Sequence, residues 1–377
     1  MSKLLAQGGF GCIYHPGFKL DGTPTTIKYA TKLQKKTYTS DNEIAIGDEI
    51  KKIKQYQKFF RVHVSHSAIH LSSIDDTLLK NCKPIKVKDD IPYIAMKLEF
   101  LENPDFFEYI FDKSKTPKQQ ISIVIESYMH LLKGFSYLGK KNIVQYDLKN
   151  ENILYDKKQN TYLISDFGIS INMNEYNASM LYKFFYVFAP EYYIWSFDIH
   201  VLCLLLHSFD SRITTNHIAD VATKFIEANP AFQMFSPEFK NIYFQKCLLF
   251  GSEYIDRPGE KVRDDKINKL LKGYSSWDNY ALSALYLRII ANFFENRFPD
   301  SLFLTKFTQL LLQNLSPDPK ERLSFDDTIK SFNDLLKMEY KYAKDIENST
   351  QASYDYDKVI NESKMQTEYL KTLVEKI

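Results

Sequence analysis

The sequence predicts an α+β protein in which a small β-rich lobe precedes a larger, mainly helical lobe. Within residues 1–100, the runs Ile27–Ala30 and Tyr93–Leu98 are rich in aliphatic and aromatic residues and follow turn-forming segments, a pattern typical of strands. From about residue 105, apolar side chains recur at helical spacing instead.

Helix-forming patterns can be placed along the chain. One helix at about 41–57 interrupts the β-rich lobe, with Asp41 as a plausible N-cap. A long amphipathic helix runs from Ile121 to Leu138 and ends near Gly139. Further helical patterns cover 198–208, 219–228, 277–296, 301–314 and 325–346.

Composition excludes several classes of protein. Of 377 residues, 44% are hydrophobic and 25% charged, the balance of a folded chain. A net charge of +2 gives no general attraction to nucleic acid or anionic membranes, and no apolar run approaches the ~18–20 residues of a membrane helix. Four distant cysteines predict reduced thiols in an intracellular compartment rather than a disulfide framework or a zinc site.

Glycines cluster near the N-terminus. Three of the twelve glycines fall within 8–11, in a pattern that runs from Ala6 through Gly8 and Gly11 to Ile13. Glycines let backbone N–H groups approach phosphate oxygens without a clash from Cβ. A tight hairpin that binds no ligand is the alternative.

A lysine on the next apolar run can bridge phosphates. Lys32 is preferred over Lys28 because the small Ala30 points to the same face and leaves space for a flat ring. Glu43 opens the following helix and is expected to pair with Lys32, with Glu49 as the alternative.

The strongest chemical pattern is a loop between two short hydrophobic strands. Asp147 can accept a proton from a hydroxyl, Lys149 can neutralise a phosphoryl group, and Asn152 offers an oxygen to Mg²⁺. Asp166 follows in the sequence Asp-Phe-Gly and supplies a second carboxylate at a strand end.

Two later residues extend the pattern. Glu191 closes the sequence Ala-Pro-Glu, and Arg322 is a late arginine that we expect to pair with it inside the helical lobe. The two three-residue motifs Asp-Phe-Gly and Ala-Pro-Glu, in this order after the loop that carries Asp147, are very unlikely to occur together by chance.

These residues resemble the eukaryotic-type protein kinase superfamily, from Leu5 to about Phe332. The resemblance implies a bilobal, protein-kinase-like fold, with the N-lobe at 1–100, the C-lobe at 101–340 and an enlarged region at about 210–300. A helical tail at 341–377 would follow.

The resemblance also implies roles. Asp147 would be the catalytic base, Lys149 would lie by the γ-phosphate, Asn152 and Asp166 would hold Mg²⁺, and Asp198 would brace the catalytic loop. The residues it assigns to the ATP site are Ala6, Gly8, Gly11, Ile13, Ala30, Lys32, Glu43, Glu99, Leu101 and Leu154.

The sequence departs from the family pattern in informative places. Ala6 replaces the first loop glycine, and Gln145-Tyr146 replaces the usual His-Arg before the catalytic Asp. Because that Arg usually binds a phosphate, we expect activity without phosphorylation of 169–188. The short interval from Glu191 to Asp198 suggests a trimmed substrate platform, and the composition resembles divergent kinases of large DNA viruses.

The function implied is a serine/threonine protein kinase that uses ATP and Mg²⁺ on protein hydroxyls. The alternatives are a pseudokinase scaffold, favoured by the departures at Ala6 and Gln145-Tyr146, and a small-molecule kinase. We expect no nucleic-acid partner, no membrane span and an intracellular, cytoplasmic location, with association to a virion if the protein is viral.

Overall fold

A five-stranded antiparallel sheet forms the N-terminal lobe, with strand order β1-β2-β3-β5-β4. Our computed structural model describes residues 2–7, 11–18, 27–74, 79–85, 92–102, 105–185, 187–208, 212–256, 263–293 and 301–348. The strands are β1 (Lys3–Gln7), β2 (Gly11–His15), β3 (Tyr29–Lys35), β4 (Ser65–Ile69) and β5 (Tyr93–Glu99). The predicted run Tyr93–Leu98 lies in β5, whereas Ile27–Ala30 overlaps β3 only at Tyr29 and Ala30, because Ile27 and Lys28 form a turn.

Helix α1 (Tyr38–Lys51) follows β3 and contacts both lobes, because Glu43 pairs with Lys32 on the sheet and Asn42 donates to the carbonyls of Gly168 and Ser170. It begins earlier than the sequence pattern predicts because Thr37 and Ser40 form a capping box, so Asp41 is not the N-cap. It also ends before residue 57. Glu43 is therefore placed in the second turn of the helix rather than at its start.

The second lobe is mainly helical. Its helices are α2 (Phe106–Ile110), α3 (Pro117–Gly139), α4 (Leu181–Phe184), α5 (Phe197–His207), α6 (Thr215–Ala228), α7 (Pro237–Ser252), α8 (Arg263–Leu271), α9 (Trp277–Phe293), α10 (Leu302–Asn314) and α11 (Phe325–Asn348). Helix α3 packs against α9 and α11. Its fully buried Tyr128 lies edge-on to the rings of Tyr286, Phe307 and Phe332.

Two short antiparallel strand pairs determine where the loops with the predicted catalytic residues lie. Strand β6 (Ile143–Val144) pairs with β9 (Ile171–Asn172), and β7 (Ile153–Asp156) pairs with β8 (Thr161–Ile164), both antiparallel. Because β7–β8 is nested between β6 and β9, the loops 145–152 and 165–170 come to lie side by side. These are the loops that carry the predicted catalytic residues.

Gly11 is required by the packing of the sheet. A Cβ at this position would lie 2.3 Å from the carbonyl oxygen of Leu33 on β3. A larger residue would therefore separate β2 from β3, whatever the loop binds. Residues 8–10, which include the predicted site residue Gly8, lie outside the described residues.

The expectation of four reduced thiols is wrong for two of them. Cys12 and Cys82 form a disulfide with a Cα–Cα distance of 6.1 Å, whereas Cys203 and Cys247 are free and buried. The partners are 70 residues apart in sequence and meet in the small core of the N-terminal lobe. No local Cys pattern could indicate a pairing made by tertiary packing.

The end of the chain is described only in part. Helix α11 continues past residue 340, where the sequence analysis began a separate tail, and residues 349–377 lie outside the described part. In the ranges that the structure describes, none of the helices is long and apolar enough to cross a membrane.

Candidate active site

Three charged side chains from different elements meet between the lobes. The Nζ of Lys32, on β3, lies 2.8 Å from both carboxylate oxygens of Glu43 on α1 and 3.2 Å from Oδ1 of Asp166. Glu49, the alternative partner, instead pairs with Lys52 on the surface. Strand register explains the placement, since Lys32 is paired with Met96 and projects toward α1.

Electrostatics stabilise this arrangement. Burial opposes the charge of Lys32, but the carboxylates of Glu43 and Asp166 outweigh it and raise the lysine pKa. Burial tends to raise the pKa of Asp166, yet the nearby Lys32 ammonium brings it below its usual value. Lys32 and Asp166 are thus both ionised near neutral pH, which suits binding of a phosphate and a cation.

Gln145 joins the two loops of the site. Its Nε2 donates to the carbonyls of Ser165 and Asp166 at 3.3 and 3.2 Å, and its Oε1 accepts from the backbone N–H of Asp147 at 2.8 Å. The side chain that replaces the usual histidine therefore fixes the distance between the two aspartates. Asp166 has a positive φ of 58°, a backbone conformation that is uncommon outside functional or turn positions.

Asp147 lies at the centre of a hydrogen-bond network. Its Oδ2 accepts from Lys149 Nζ at 2.8 Å and from Asn152 Nδ2 at 3.1 Å. Its Oδ1 accepts from the hydroxyl of Tyr192. Since the Nδ2 of Asn152 is used by Asp147, its amide oxygen is the atom suited to a cation.

The donor set fits Mg²⁺ bound together with phosphates. The backbone carbonyl of Asn152 accepts from the Ser165 backbone N–H at 2.9 Å, which brings Asn152 next to Asp166. One carboxylate and one amide oxygen, completed by phosphate oxygens and water, are ligands that Mg²⁺ prefers. Within the described residues there is no cluster of three or more His, Cys, Asp or Glu that would hold a metal by itself.

Tyr146 sits in an aromatic cluster where the family has an arginine. Its ring stacks on Trp195 with centroids 4.9 Å apart and lies edge-on to Phe185 at 5.7 Å and tilted to Trp277 at 6.1 Å. Trp195 Nε1 also donates to the Tyr146 carbonyl at 2.9 Å. Apolar packing therefore holds the segment before α5 against the catalytic loop and supports the positive φ of 70° at Tyr146.

The residue that braces the catalytic loop is Asp278, so the assignment to Asp198 is wrong. Asp278, on α9, accepts from the backbone N–H groups of Gln145 at 2.7 Å and Tyr146 at 3.1 Å. It is buried, and burial raises its pKa to about 6. In the sequence, helices α6 to α8 lie between Asp198 and α9, so the short interval from Glu191 to Asp198 gives no evidence of a trimmed platform.

The expected pairing of Glu191 with Arg322 is also wrong. Glu191 is exposed, whereas Arg322 pairs with Asp198 at 2.5 Å, and both side chains are fully buried. Trp277 Nε1 donates to the second oxygen of Asp198 at 2.7 Å. Asp198 thus takes the role that the sequence analysis gave to Glu191.

The remaining predicted site residues that the structure describes lie in or next to the five-stranded sheet, except Leu154, which lies on β7 of the second lobe. Ala30 is fully buried and paired with Leu98, and the Glu99 carbonyl at the end of β5 accepts from Arg61 at 3.0 and 3.2 Å. Because a carbonyl oxygen has two lone pairs and this one receives two N–H donors from Arg61, a nucleotide donor would have to displace one of them. Ala6 is exposed, Ile13 and Leu154 are half-buried, and Leu101 is buried.

Sequence reasoning missed Gln145 as a linker, Asp278 and Tyr192. Asp278 opens a helical pattern that was recognised, and an acid at the start of an otherwise apolar buried helix was a usable signal. Tyr192 carried no signal, because its contact with Asp147 joins residues 45 positions apart.

Comparison with known proteins gives the family. A model of the protein kinase domain matches residues 1–333. The calcium-dependent protein kinase 4 of Plasmodium falciparum is 24% identical over 345 residues, 79% of this chain and 63% of that protein. The serine/threonine-protein kinase KIN4 of Saccharomyces cerevisiae is 32% identical over 142 residues, 37% of this chain and 15% of that protein.

The chain therefore belongs to the protein kinase domain family, with the β-sheet N-lobe and helical C-lobe of that fold. It spans less than two thirds of the length of each of these relatives.

Proposed function

We propose that this protein is an active serine/threonine protein kinase that transfers the γ-phosphoryl group of ATP to a protein hydroxyl. The observation that carries the proposal is the position of Lys32, whose ammonium lies within 3.2 Å of both Glu43 and Asp166. A strand, a helix and a loop from the two lobes are thereby joined at the phosphate-binding position, as transfer requires.

Different residues would bind the phosphates, the magnesium ion and the rest of the nucleotide. Lys32 would bind the α- and β-phosphates, and Lys149 would lie by the γ-phosphate, each as a positive charge. Asn152 and Asp166 would hold Mg²⁺, which when bound neutralises charge on the phosphates. Ala6, Gly8, Gly11, Ile13, Ala30, Glu99, Leu101 and Leu154 would enclose the nucleotide.

Asp147 would orient the acceptor hydroxyl and take its proton. The acceptor oxygen forms a bond to the γ-phosphorus while the bond from that phosphorus to the bridging oxygen of ADP breaks. The proton passes to Asp147, and ADP leaves. Lys149, two residues after Asp147, resembles the lysine of serine/threonine kinases rather than tyrosine kinases.

Catalysis is tested by incubating the wild-type protein and Asp147→Asn with labelled ATP, Mg²⁺ and a generic protein substrate. We expect labelling by the wild type and a loss on the order of 10²–10⁴-fold in the variant. Glu151→Gln is the matched control, because Glu151 is an exposed acid in the same loop. It should retain activity.

A pseudokinase scaffold is the second candidate, favoured by Ala6 and by the replacement Gln145-Tyr146. Nucleotide binding without labelling in either protein would favour the scaffold. Labelling of small molecules alone would favour a metabolite kinase.

The further proposals are a Ser/Thr protein partner rather than nucleic acid, an intracellular location, and a lobe boundary near residue 100 with a tail at 341–377.

A further inference from the structure

A tyrosine hydroxyl contacts the proposed base. Tyr192 donates a hydrogen bond to Oδ1 of Asp147 from the segment that precedes α5. Neither the family match nor the sequence pattern assigns a role to this residue. Among the described residues, the side-chain hydrogen bonds to this carboxylate come from Lys149 and Asn152 in the catalytic loop and from Tyr192 outside it.

The acceptor sites of the carboxylate can be counted. Each oxygen of an ionised carboxylate accepts about two hydrogen bonds. In the described part of the chain, Oδ2 receives two donors, from Lys149 and Asn152, whereas Oδ1 receives Tyr192. The second acceptor site of Oδ1 is thus the one that suits an incoming hydroxyl.

The segment around Tyr192 is fixed at several points. Trp195 Nε1 donates to the Tyr146 carbonyl at 2.9 Å, and its ring lies edge-on to that of Tyr192 at 5.3 Å. Arg288, on α9, donates to the Tyr193 hydroxyl at 2.9 Å. The Tyr192 hydroxyl is therefore presented from a well-anchored turn, which can restrict rotation of the carboxylate.

Tyr192 acts as a donor only. Burial raises its pKa well above the ordinary value, and the charge of Asp147 raises it further. The phenol therefore keeps its proton at any pH at which a kinase would work. It does not compete with Asp147 for the proton of an acceptor.

We propose that Tyr192 is a positioning residue, whose hydroxyl holds the Asp147 carboxylate so that the free acceptor site of Oδ1 faces the incoming substrate hydroxyl. The inference rests on the proposed function. In the transfer step the substrate proton goes to Oδ1 of Asp147, and Tyr192 retains its own proton throughout.

Tyr192→Phe tests the proposal, with Tyr137→Phe as the control, because Tyr137 is an exposed tyrosine on α3 whose ring packs on Phe59 and takes no part in anchoring the Tyr192 turn. We expect kcat to fall about tenfold in Tyr192→Phe with KM for ATP unchanged, since loss of orientation affects the chemical step. The control should keep both constants. A Tyr192→Phe enzyme with wild-type kcat would overturn the proposal.

A double-mutant cycle measured by melting temperature tests the contact between Tyr192 and Asp147 without an activity assay. We expect the melting-temperature shifts of Tyr192→Phe and Asp147→Ala to be non-additive in the double variant, because each removes the same contact. Additive shifts would overturn the inference. Non-additive shifts in a protein whose wild type transfers no phosphate would uphold the contact while refuting the proposed kinase activity.

Discussion

Asp198 and Arg322 form an ion pair 2.5 Å long in the interior of the helical lobe, with both side chains fully buried. Arg322 also donates from Nε to the Ser316 carbonyl at 2.7 Å and from Nη1 to the Ser276 hydroxyl at 3.1 Å. These contacts join the start of α5, the start of α9 and the segment before α11. The pair therefore fixes α5 relative to the start of α9, whose Asp278 binds the catalytic loop.

Removing one partner of this pair should strongly destabilise the protein. We expect Asp198→Asn to lower the free energy of unfolding by about 3–5 kcal/mol, because the Arg322 charge is left buried without a counter-charge. Urea denaturation measures the change. Glu191→Gln, at an exposed position, should stay within about 0.5 kcal/mol of wild type. Equal effects of the two substitutions would refute this assignment of the pair.

The choice of Glu43 over Glu49 has a direct kinetic test. Glu43→Gln should reduce kcat/KM for ATP on the order of 10²-fold, since Lys32 loses the charge that orients it toward the phosphates. Glu49→Gln should have little effect, because Glu49 pairs with Lys52 on the surface. Steady-state kinetics at varied ATP concentration decide the matter. The reverse order of effects would show that the two roles are exchanged.

Activity should not depend on phosphorylation of 169–188. The aromatic packing of Tyr146 on Trp195 occupies the place of the phosphate-binding arginine, so there is no charge at this position for a phosphate to neutralise. Phosphatase treatment of the purified protein should leave kcat/KM unchanged, with mass spectrometry to verify that phosphate is absent. Loss of activity after treatment would contradict the prediction.

The disulfide is tested by counting thiols. The unfolded, unreduced protein should react with two equivalents of iodoacetamide, at Cys203 and Cys247, and with four after reduction. Closing a loop of 70 residues is expected to stabilise the fold by about 4 kcal/mol in the chain-entropy model. Cys12→Ser should therefore lower the melting temperature. Four reactive thiols without reduction would restore the expectation from sequence.

The buried His200 should make stability pH-dependent. Burial lowers its pKa from 6.5 to about 4, so between these values the unfolded chain binds a proton that the folded protein does not. Acidification from pH 6.5 to 4 should therefore remove roughly 3 kcal/mol from the free energy of unfolding through this residue.

Asp278 acts in the opposite direction. Its pKa is raised from 3.8 to about 6, so the folded protein binds the extra proton and gains stability as the pH falls through this window. His200→Gln should then show greater stability at pH 5 relative to pH 7 than wild type does, in denaturant titrations. Parallel curves would argue that His200 is protonated in the folded state.

The local chemistry was readable from sequence. The order of the glycine loop, the strand lysine, the catalytic loop and Asp-Phe-Gly depends on short-range patterns, and the long helix α3 follows from apolar periodicity. The resemblance implied that Asp147 and Asp166 act at one site, and the strand pairs β6–β9 and β7–β8 bring the loops that carry them together.

The sequence by itself determined the family, the order of the elements and the residue types that can do phosphoryl transfer. Tertiary structure decided which residues meet across long separations, namely Asp198 with Arg322, Asp278 with the catalytic loop, Tyr192 with Asp147 and Cys12 with Cys82. Local patterns report propensity and periodicity, whereas a buried charge finds its partner through the packing of helices. The two buried acids Asp198 and Asp278 therefore have roles that none of the short motifs indicated.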